Sequence, residues 1–455
     1  MNEHVSAYLK QKGYEINSRA CAIIQEAGDW YRLKETESHK RPTVNGQIRE
    51  LVRLGFAKRA AADDANLCEV VSINAGAADE LVQSVFRANR FDTQYRKQLE
   101  ETSAQGTTAC YVRLEAAEVL TDGSLQGGEI RLNYINAEGF LPLTVENGEV
   151  LEAAFWGERC QGAKKAVTLV ICTREKESAN YAYETVDFDA AGKHEAPVTV
   201  TLGPVKPFAV MQTAEVNSIE GMEGYGFPKV YGSIPLFLAL DSAFTALFGD
   251  IEKSDAITFI NEQLCGFDEK GKPIPPNEAQ KKRFVFLGEK LPQKDTLIQT
   301  EAPEIRVDQF QKAIEMLLAI LSTKFGYGTK KYAFDGAQIQ TATQYIGERQ
   351  DMMQELNKQR FQARQYMEGI IRAVLWFSNT FHKTAFDLEE EIQISFDDSY
   401  IESKADRLET CRQDALSGLG GQYTRARYLQ EKYGLTEEEA VKWAGAEDMD
   451  PELGA

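Results

Sequence analysis

Three stretches hold residue types that could do chemistry. Gly266 to Lys272 has the spacing of a phosphate-binding loop, two glycines bracketing four residues and then a lysine. Such a loop needs a following Ser or Thr for Mg²⁺ and a helix whose first amides cradle the phosphate. Here Pro273 follows, Pro275 and Pro276 crowd the place where a helix would start, and Asp268 and Glu269 would repel phosphate. The stretch reads as a solvated hairpin turn. Asp397 and Asp398 could form a carboxylate pair for acid–base work or metal binding. They end a strand-like run from Glu391 to Phe396, and adjacent strand residues face opposite ways, so a strand-end cap is the better reading. Lys330 and Lys331 stand beside Tyr327, Tyr332 and Phe334 in a glycine-bounded loop, Phe325 to Gly336. Two readings stay open for it: an exposed loop tip, or a loop that touches phosphates by charge without reading sequence.

Nothing else in the spacing suggests catalysis. No Ser/His/Asp or Cys/His arrangement is visible. The four histidines, His4, His39, His194 and His382, lie apart from any acid or thiol cluster, so no metal and no cofactor is expected. The seven cysteines, Cys21, Cys68, Cys110, Cys160, Cys172, Cys265 and Cys411, are scattered without a CxxC and read as reduced, buried thiols of a cytoplasmic chain. The net charge of −19 argues against a free-standing cationic nucleic-acid binder. It does not exclude a protein that surrounds DNA without gripping it. The polar start, Met1 to Ser6, predicts no signal peptide. The longest apolar run, Ile234 to Leu240, is far short of a membrane span, so no membrane partner is expected.

The elements that position the lysine loop are the most legible part of the chain. Phe310, Ile314, Leu317 and Leu321 mark one helical face, with Asp308 and Gln311 as its N-cap signature. After the loop, Thr341 to Gln344 forms a second capping box. Tyr345, Met352, Leu356, Ala363, Met367, Ile370, Val374 and Phe377 then sustain a helix of about ten turns, roughly 55–60 Å long. Upstream, Ile234–Ser254 reads as a helix with an apolar face of Leu236, Leu240, Phe244, Leu247 and Ile251. Between the two helices, residues 256–306 read as a small α+β insertion. Its strands are expected at Ile257–Ile260, Phe284–Leu287 and Thr296–Ile298.

Toward the N-terminus, residues 1–30 read as helical, Ile48–Leu67 as a helix or helix pair, and Ala77–Ser103 as one helix. From Ala109 the texture turns to short alternating runs: Cys110–Leu114, Glu129–Tyr134, Val150–Trp156, Ala166–Ile171, Asn180–Val186 and Val198–Leu202. Turn residues separate them, which predicts an antiparallel sheet or small barrel. Helices are expected again at Lys404–Leu416, Thr424–Lys432 and Thr436–Ala444. The fold class is α+β, and no visible catalytic site favours a structural role over an enzyme.

In this order the motifs become recognisable. Gly224 to Pro235 leads into the helix with Leu240 and Asp241. Phe325 to Gly328 precedes Thr341 to Gln344. Ile394 to Ser399 ends the late strand, and Gly434 to Ala440 lies near the end. With that order and spacing the chain resembles a portal protein of tailed double-stranded DNA bacteriophages, of the kind found in siphophages of Gram-positive hosts. One departure is Gln344, where related chains often have Glu.

The resemblance implies a phage portal fold: a homo-oligomeric ring, usually of twelve subunits, at one capsid vertex of the virion, assembled in the host cytoplasm. Residues 1–233 would be the wing, 234–255 and 307–325 the two stem helices, and 256–306 a small α/β clip. Residues 326–340 would be the tunnel loop, 341–400 the long helix and a wing strand, and 401–455 the crown. Tyr327, Thr329, Lys330, Lys331 and Tyr332 would face DNA. Lys312, Glu315 and Lys324 would line the channel stem. Lys281, Lys282 and Arg283 would dock the terminase. The implied function is a DNA packaging and ejection channel, a head–tail connector and no enzyme. Implied partners are non-specific double-stranded DNA, the terminase large subunit, a head-completion or adaptor protein, and the major capsid and scaffolding proteins. Twelve chains would bring a charge of about −200, which mostly repels DNA and lets it slide. Two other readings remain: a virion or injection-apparatus structural connector without a DNA channel, and a carbohydrate-active enzyme using Asp397 or Asp398 with a distant Glu.

Overall fold

The computed structural model describes residues 2–42, 48–119, 125–161, 164–194, 196–254, 257–261, 266–274, 284–287, 298–301, 304–329, 331–332, 342–396, 404–417, 421–433, 435 and 437–445. Helices α1 (Glu3–Gln11) and α2 (Ser18–Tyr31) precede a hairpin of β1 (Lys40–Pro42) and β2 (Ile48–Glu50). α3 (Phe56–Asn66), β3 (Val70–Asn74), α4 (Asp79–Ala88) and α5 (Phe91–Gln105) follow. The β-rich region holds β4 (Thr107–Glu115), β5 (Glu118–Val119), β6 (Leu125–Gln126), β7 (Glu129–Asn136) and β8 (Phe140–Glu146). It continues through β9 (Glu149–Gln161), β10 (Lys164–Arg174), β11 (Tyr181–Phe188), β12 (Val198–Thr201) and β13 (Phe208–Gln212). α6 (Lys229–Lys253) leads to β14 (Ile257–Asn261), β15 (Gly266–Phe267), β16 (Pro273–Ile274), β17 (Phe284–Leu287) and β18 (Ile298–Glu301). α7 (Val307–Lys324), α8 (Ala342–Phe381), β19 (Gln393–Phe396), α9 (Lys404–Ser417), α10 (Gln422–Tyr433) and α11 (Glu437–Ala444) complete the chain. The class is α+β, as expected.

The chain forms two compact units. The first comprises Met1–Asn17, Ala62–Phe227 and Arg349–Ala455; the second comprises Ser18–Ala61 and Pro228–Glu348. In the first, a five-stranded antiparallel sheet runs β12-β11-β10-β9-β8 and a three-stranded one runs β13-β4-β7. They are two stacked sheets, not a closed barrel. Tyr111, Phe155, Tyr183 and Phe208 interlock between them, with Tyr111 and Phe155 ring centroids 5.1 Å apart. Val5 and Leu9 of α1 cover the outer face of the larger sheet, against Leu169, Ile171 and Val186. Gln98 of α5 and Tyr366 of α8 join in a buried hydrogen bond over the smaller one. Of the expected 3.5-like spacing on α8, Leu356, Ala363, Met367, Ile370, Val374 and Phe377 are buried and Met352 is half-buried. Of Tyr345 only the backbone is described.

Several expectations need correction. Ile48–Leu67 is not a helix pair. Ile48–Glu50 is a strand paired with β1, and the helix starts only at Phe56, after Gly55 takes a left-handed φ of +75°. Ala77–Ser103 is two helices, because Arg90 sits at φ +51° and Asn89 spends its amide on Val85 and Ile130 carbonyls. β3, β8 and β13 have no counterpart in the sequence reading. Asp308 does not cap α7: the helix starts at Val307, its N-cap is Arg306 without a side-chain bond, and Asp308 is an acid within the first turn. Asp397, Asp398, Thr341 and Thr436 lie outside the described residues.

The loop with phosphate-site spacing is a hairpin turn between β15 and β16. Asp268 Oδ1 accepts from Lys270 N at 2.9 Å and Lys272 N at 2.8 Å. Those amides are taken by the chain's own carboxylate.

Candidate functional site

The second unit is built on an antiparallel helix pair. Its two ends are tied by side chains. Arg306, just before α7, grips Asp250 near the end of α6 with two bonds of 2.9 Å, and its guanidinium lies 5.4 Å from the Phe310 ring. At the other end Lys324 Nζ donates to the Gly232 carbonyl in the first turn of α6. A planar guanidinium matches a carboxylate bidentately, so the first tie fixes the angle at which the chain enters and leaves the strands between the helices.

The faces these helices bury differ from the expected ones. In α6 only Leu240 of the five expected apolar positions is buried; the covered face is Val230, Phe237 and Leu240 with polar Ser233, Asp241 and Thr245. In α7 Ile314 and Leu321 are buried as expected, with Leu318 beside them. Large apolar side chains stay uncovered: Phe248 and Ile251 on α6 are each 46% exposed, and Met316 and Ile320 on α7 are 66% and 44% exposed. Lys229–Glu252 is also long and apolar enough to cross a membrane, by length and composition alone, with 28% of that window buried. That corrects the short-run reading, because apolar residues resume beyond Asp241 and Ser242.

The polar side of α6 serves a centre that spacing could not reveal. His39 Nε2 lies 3.1 Å from Asp241 Oδ2, and its Nδ1 lies 2.7 Å from Thr36 Oγ1. Leu54 N donates to Asp241 Oδ1 at 3.0 Å. Trp30 covers the imidazole at 4.6 Å between ring centroids. Burial pushes the Asp241 carboxyl above its ordinary value, against the Leu54 amide and His39, which pull it down. Hydroxyl, imidazole and carboxylate stand in line, as in a nucleophile triad. The adjoining space is only about 10 Å³, room for about one water and no substrate. The group is a tie between residues 36–54 and α6. His39 and Asp241 are 202 residues apart in sequence, which hides the pair from any spacing argument.

The turn after α7 closes by a glycine-dependent stop. Gly326, at φ +79°, lets its N–H reach Thr323 O at 3.0 Å and Tyr327 N–H reach Ser322 O at 3.0 Å. Thr323 Oγ1 then bonds Gly328 O, and Lys331 N bonds Ser322 Oγ at 3.2 Å. Tyr327 is 6% exposed, packed between Phe325 and Tyr332 at 6.3 Å each, and Tyr332 meets Phe56. Its ring therefore belongs to the turn's core. Thr329 and Lys331 are exposed, with Lys331 Nζ 5.8 Å from the Tyr327 ring. Lys312 is exposed and Glu315 half-buried, holding Gln311 at 2.7 Å. Lys330, Lys281, Lys282 and Arg283 lie outside the described residues. Among the described residues no group of three or more His, Cys, Asp or Glu could hold a metal ion.

No family model matches the chain, and no curated protein matches it in sequence. Among solved structures, a chain in the neck of a native gene transfer agent particle, computed with C12 symmetry, aligns at a TM-score of 0.42 and 10% identity. The alignment covers 86% of this chain and 91% of that one. A likeness of that size establishes neither a shared fold nor a role.

Proposed function

We propose that the chain is a ring-forming subunit of portal type: a virion connector through which double-stranded DNA is packaged and ejected. The observation that carries the reading is the set of uncovered apolar side chains on the α6–α7 pair. Phe248, Ile251, Met316 and Ile320 are too large and too apolar to be left to water along two long helices. Helix pairs standing side by side in a ring would cover them, each copy against the next. The sequence resemblance supports the same reading, since the order of motifs around these helices is the one a portal has.

In this reading α6 and α7 are stem helices, residues 256–306 the clip, and 326–340 the tunnel loop. Residues 1–233 are the wing, and 401–455 the crown. Thr329, Lys330 and Lys331 supply weak, register-free phosphate contacts, with Tyr327 stiffening the turn from within and Tyr332 beside it. Lys312, Glu315 and Lys324 belong to the stem. Lys281, Lys282 and Arg283 are assigned to terminase docking. The ring hydrolyses nothing; the terminase large subunit supplies the motor, and adaptor, capsid and scaffolding proteins complete the partners.

Mass photometry with negative-stain imaging tests the ring: a particle of about a dozen copies is expected, and monomers alone at micromolar concentration would overturn it. Lys330→Glu with Lys331→Glu tests the channel and should abolish DNA packaging while leaving the ring intact. Unchanged packaging would favour a structural connector without a channel.

A further inference from the structure

β13 lies at one end of the three-stranded sheet. Its register with β4 decides which way its backbone faces. Val112 N donates to Pro207 O at 2.9 Å, and Thr213 N donates to Gly106 O at 3.1 Å. Between those bonds the pairing runs from Phe208 opposite Tyr111 to Gln212 opposite Thr107. Bonded and unbonded pairs alternate along an antiparallel ladder. Residues 207, 209, 211 and 213 therefore turn their polar backbone groups toward β4, while Phe208, Val210 and Gln212 turn theirs away. Among the described residues no strand pairs with β13 on that side.

That edge opens into a cleft of about 700 Å³. α8 lies on one face of β13: a Cβ added at Gly369 would stand 3.0 Å from Ala209 Cβ. The helix thus covers the face of the strand and leaves its edge free. Gln365, Glu368 and Arg372 of α8 line the cleft, with Glu149, Lys206 and Glu389. Lys206 and Glu149 neutralise each other at 2.9 Å, and Arg372 stands one turn from Glu368. Glu368, Arg372 and Glu389 form no ion pair among the described residues, and with three acids against two bases the cleft carries a net negative charge.

We propose that this cleft takes an extended, basic segment of a partner protein, which adds to β13 as a further strand. Outward donors and acceptors that recur every second residue, over about 17 Å for five residues, match an extended backbone. A helix satisfies its own backbone and would leave them unmet. The walls mix Val150, Val205 and Leu388 with one more acid than base, so the cleft calls for a Lys or Arg in the segment. The site shares no residue with the α6–α7 pair, so it stands or falls apart from the ring.

A displayed random heptapeptide library, selected on the full chain, tests it. Val210→Pro removes one outward N–H and leaves the bonds to β4 in place. Gln365→Trp narrows the cleft from α8 without touching β13, and carries the test should the proline variant fail to fold. Enriched peptides should hold Lys or Arg and bind each variant at least tenfold more weakly. They should also protect the Phe208, Val210 and Gln212 amides from hydrogen exchange. No enriched peptide, or equal binding to wild type and both variants, would overturn the proposal. Self-association of the free chain that Val210→Pro abolishes would overturn it too, assigning the edge to a second copy.

Discussion

The β-rich unit and the α6–α7 pair use similar residues with opposite outcomes. In the sheets, Leu169 and Ile171 are covered by α1, and Phe155 and Phe208 by the facing sheet, so apolar side chains on both faces are hidden within the unit. In the helix pair, α6 turns polar Asp241 and Thr245 inward and leaves Phe248 and Ile251 to water. A strand alternates its side chains between two layers that each find a neighbour. A helix with one long neighbour covers one stripe and exposes the others. The lesson is that periodicity marks apolar faces without saying whose atoms cover them.

That contrast can be broken experimentally. The largest effect is expected from Phe248→Glu with Met316→Glu, which should turn the proposed ring into monomers by mass photometry while the far-ultraviolet circular dichroism stays unchanged. An intact ring would mean that these side chains form no interface. Leu169→Ala should do the reverse, costing about 3 kcal/mol in denaturant unfolding with assembly preserved below the transition. Asp241→Ala leaves His39 and the Leu54 amide without their acceptor and should cost about 2–3 kcal/mol by the same measurement.

A smaller effect concerns pH. Glu184 accepts from Tyr8 at 2.5 Å and pairs with Lys12 at 2.8 Å, joining α1 to β11. Burial raises its carboxyl, but the bonds from Lys12 and Tyr8 outweigh that and hold it below the ordinary value. A lowered acid contributes its stability above the unfolded value of about 4.3, and loses it as pH falls through the folded one. Thermal melts from pH 6 to 3 should show this loss, and Glu184→Gln should flatten it. Arg306→Ala removes an exposed pair and should change unfolding by under about 1 kcal/mol.

Much of the fold was legible because it follows from chain-local rules. β4, β7 and the strands from β9 to β12 announce themselves by alternation, and α8 by a spacing kept up over its whole length. What escaped was set by distant partners. β13 has no mark in the sequence because its pairing with β4 lies about a hundred residues back. The break at Arg90 depends on Asn89 reaching the Ile130 carbonyl. The expected face of α6 was the more apolar one, and the chain buries the other because His39 and Leu54 need Asp241. At the candidate site, the glycines, aromatics and lysines single out the loop after α7 in the sequence. They could not say that Tyr327 points into the turn, which Gly326 decides by ending the helix.

The two ties on the helix pair have a consequence for how this sequence can drift. Arg306 and Asp250 meet at the neck of the stretch between α6 and α7, so the pair is closed whatever lies beyond it. Doubling the length of a flexible closed loop costs about 0.6 kcal/mol, and the penalty grows only with the logarithm of its length. Insertions and deletions in the connections between the strands of residues 257–301 should therefore accumulate between descendants with little effect on the stability of the helices. Selection on that stretch would act through what it touches, and its length should vary more among relatives than the lengths of the helices that hold it.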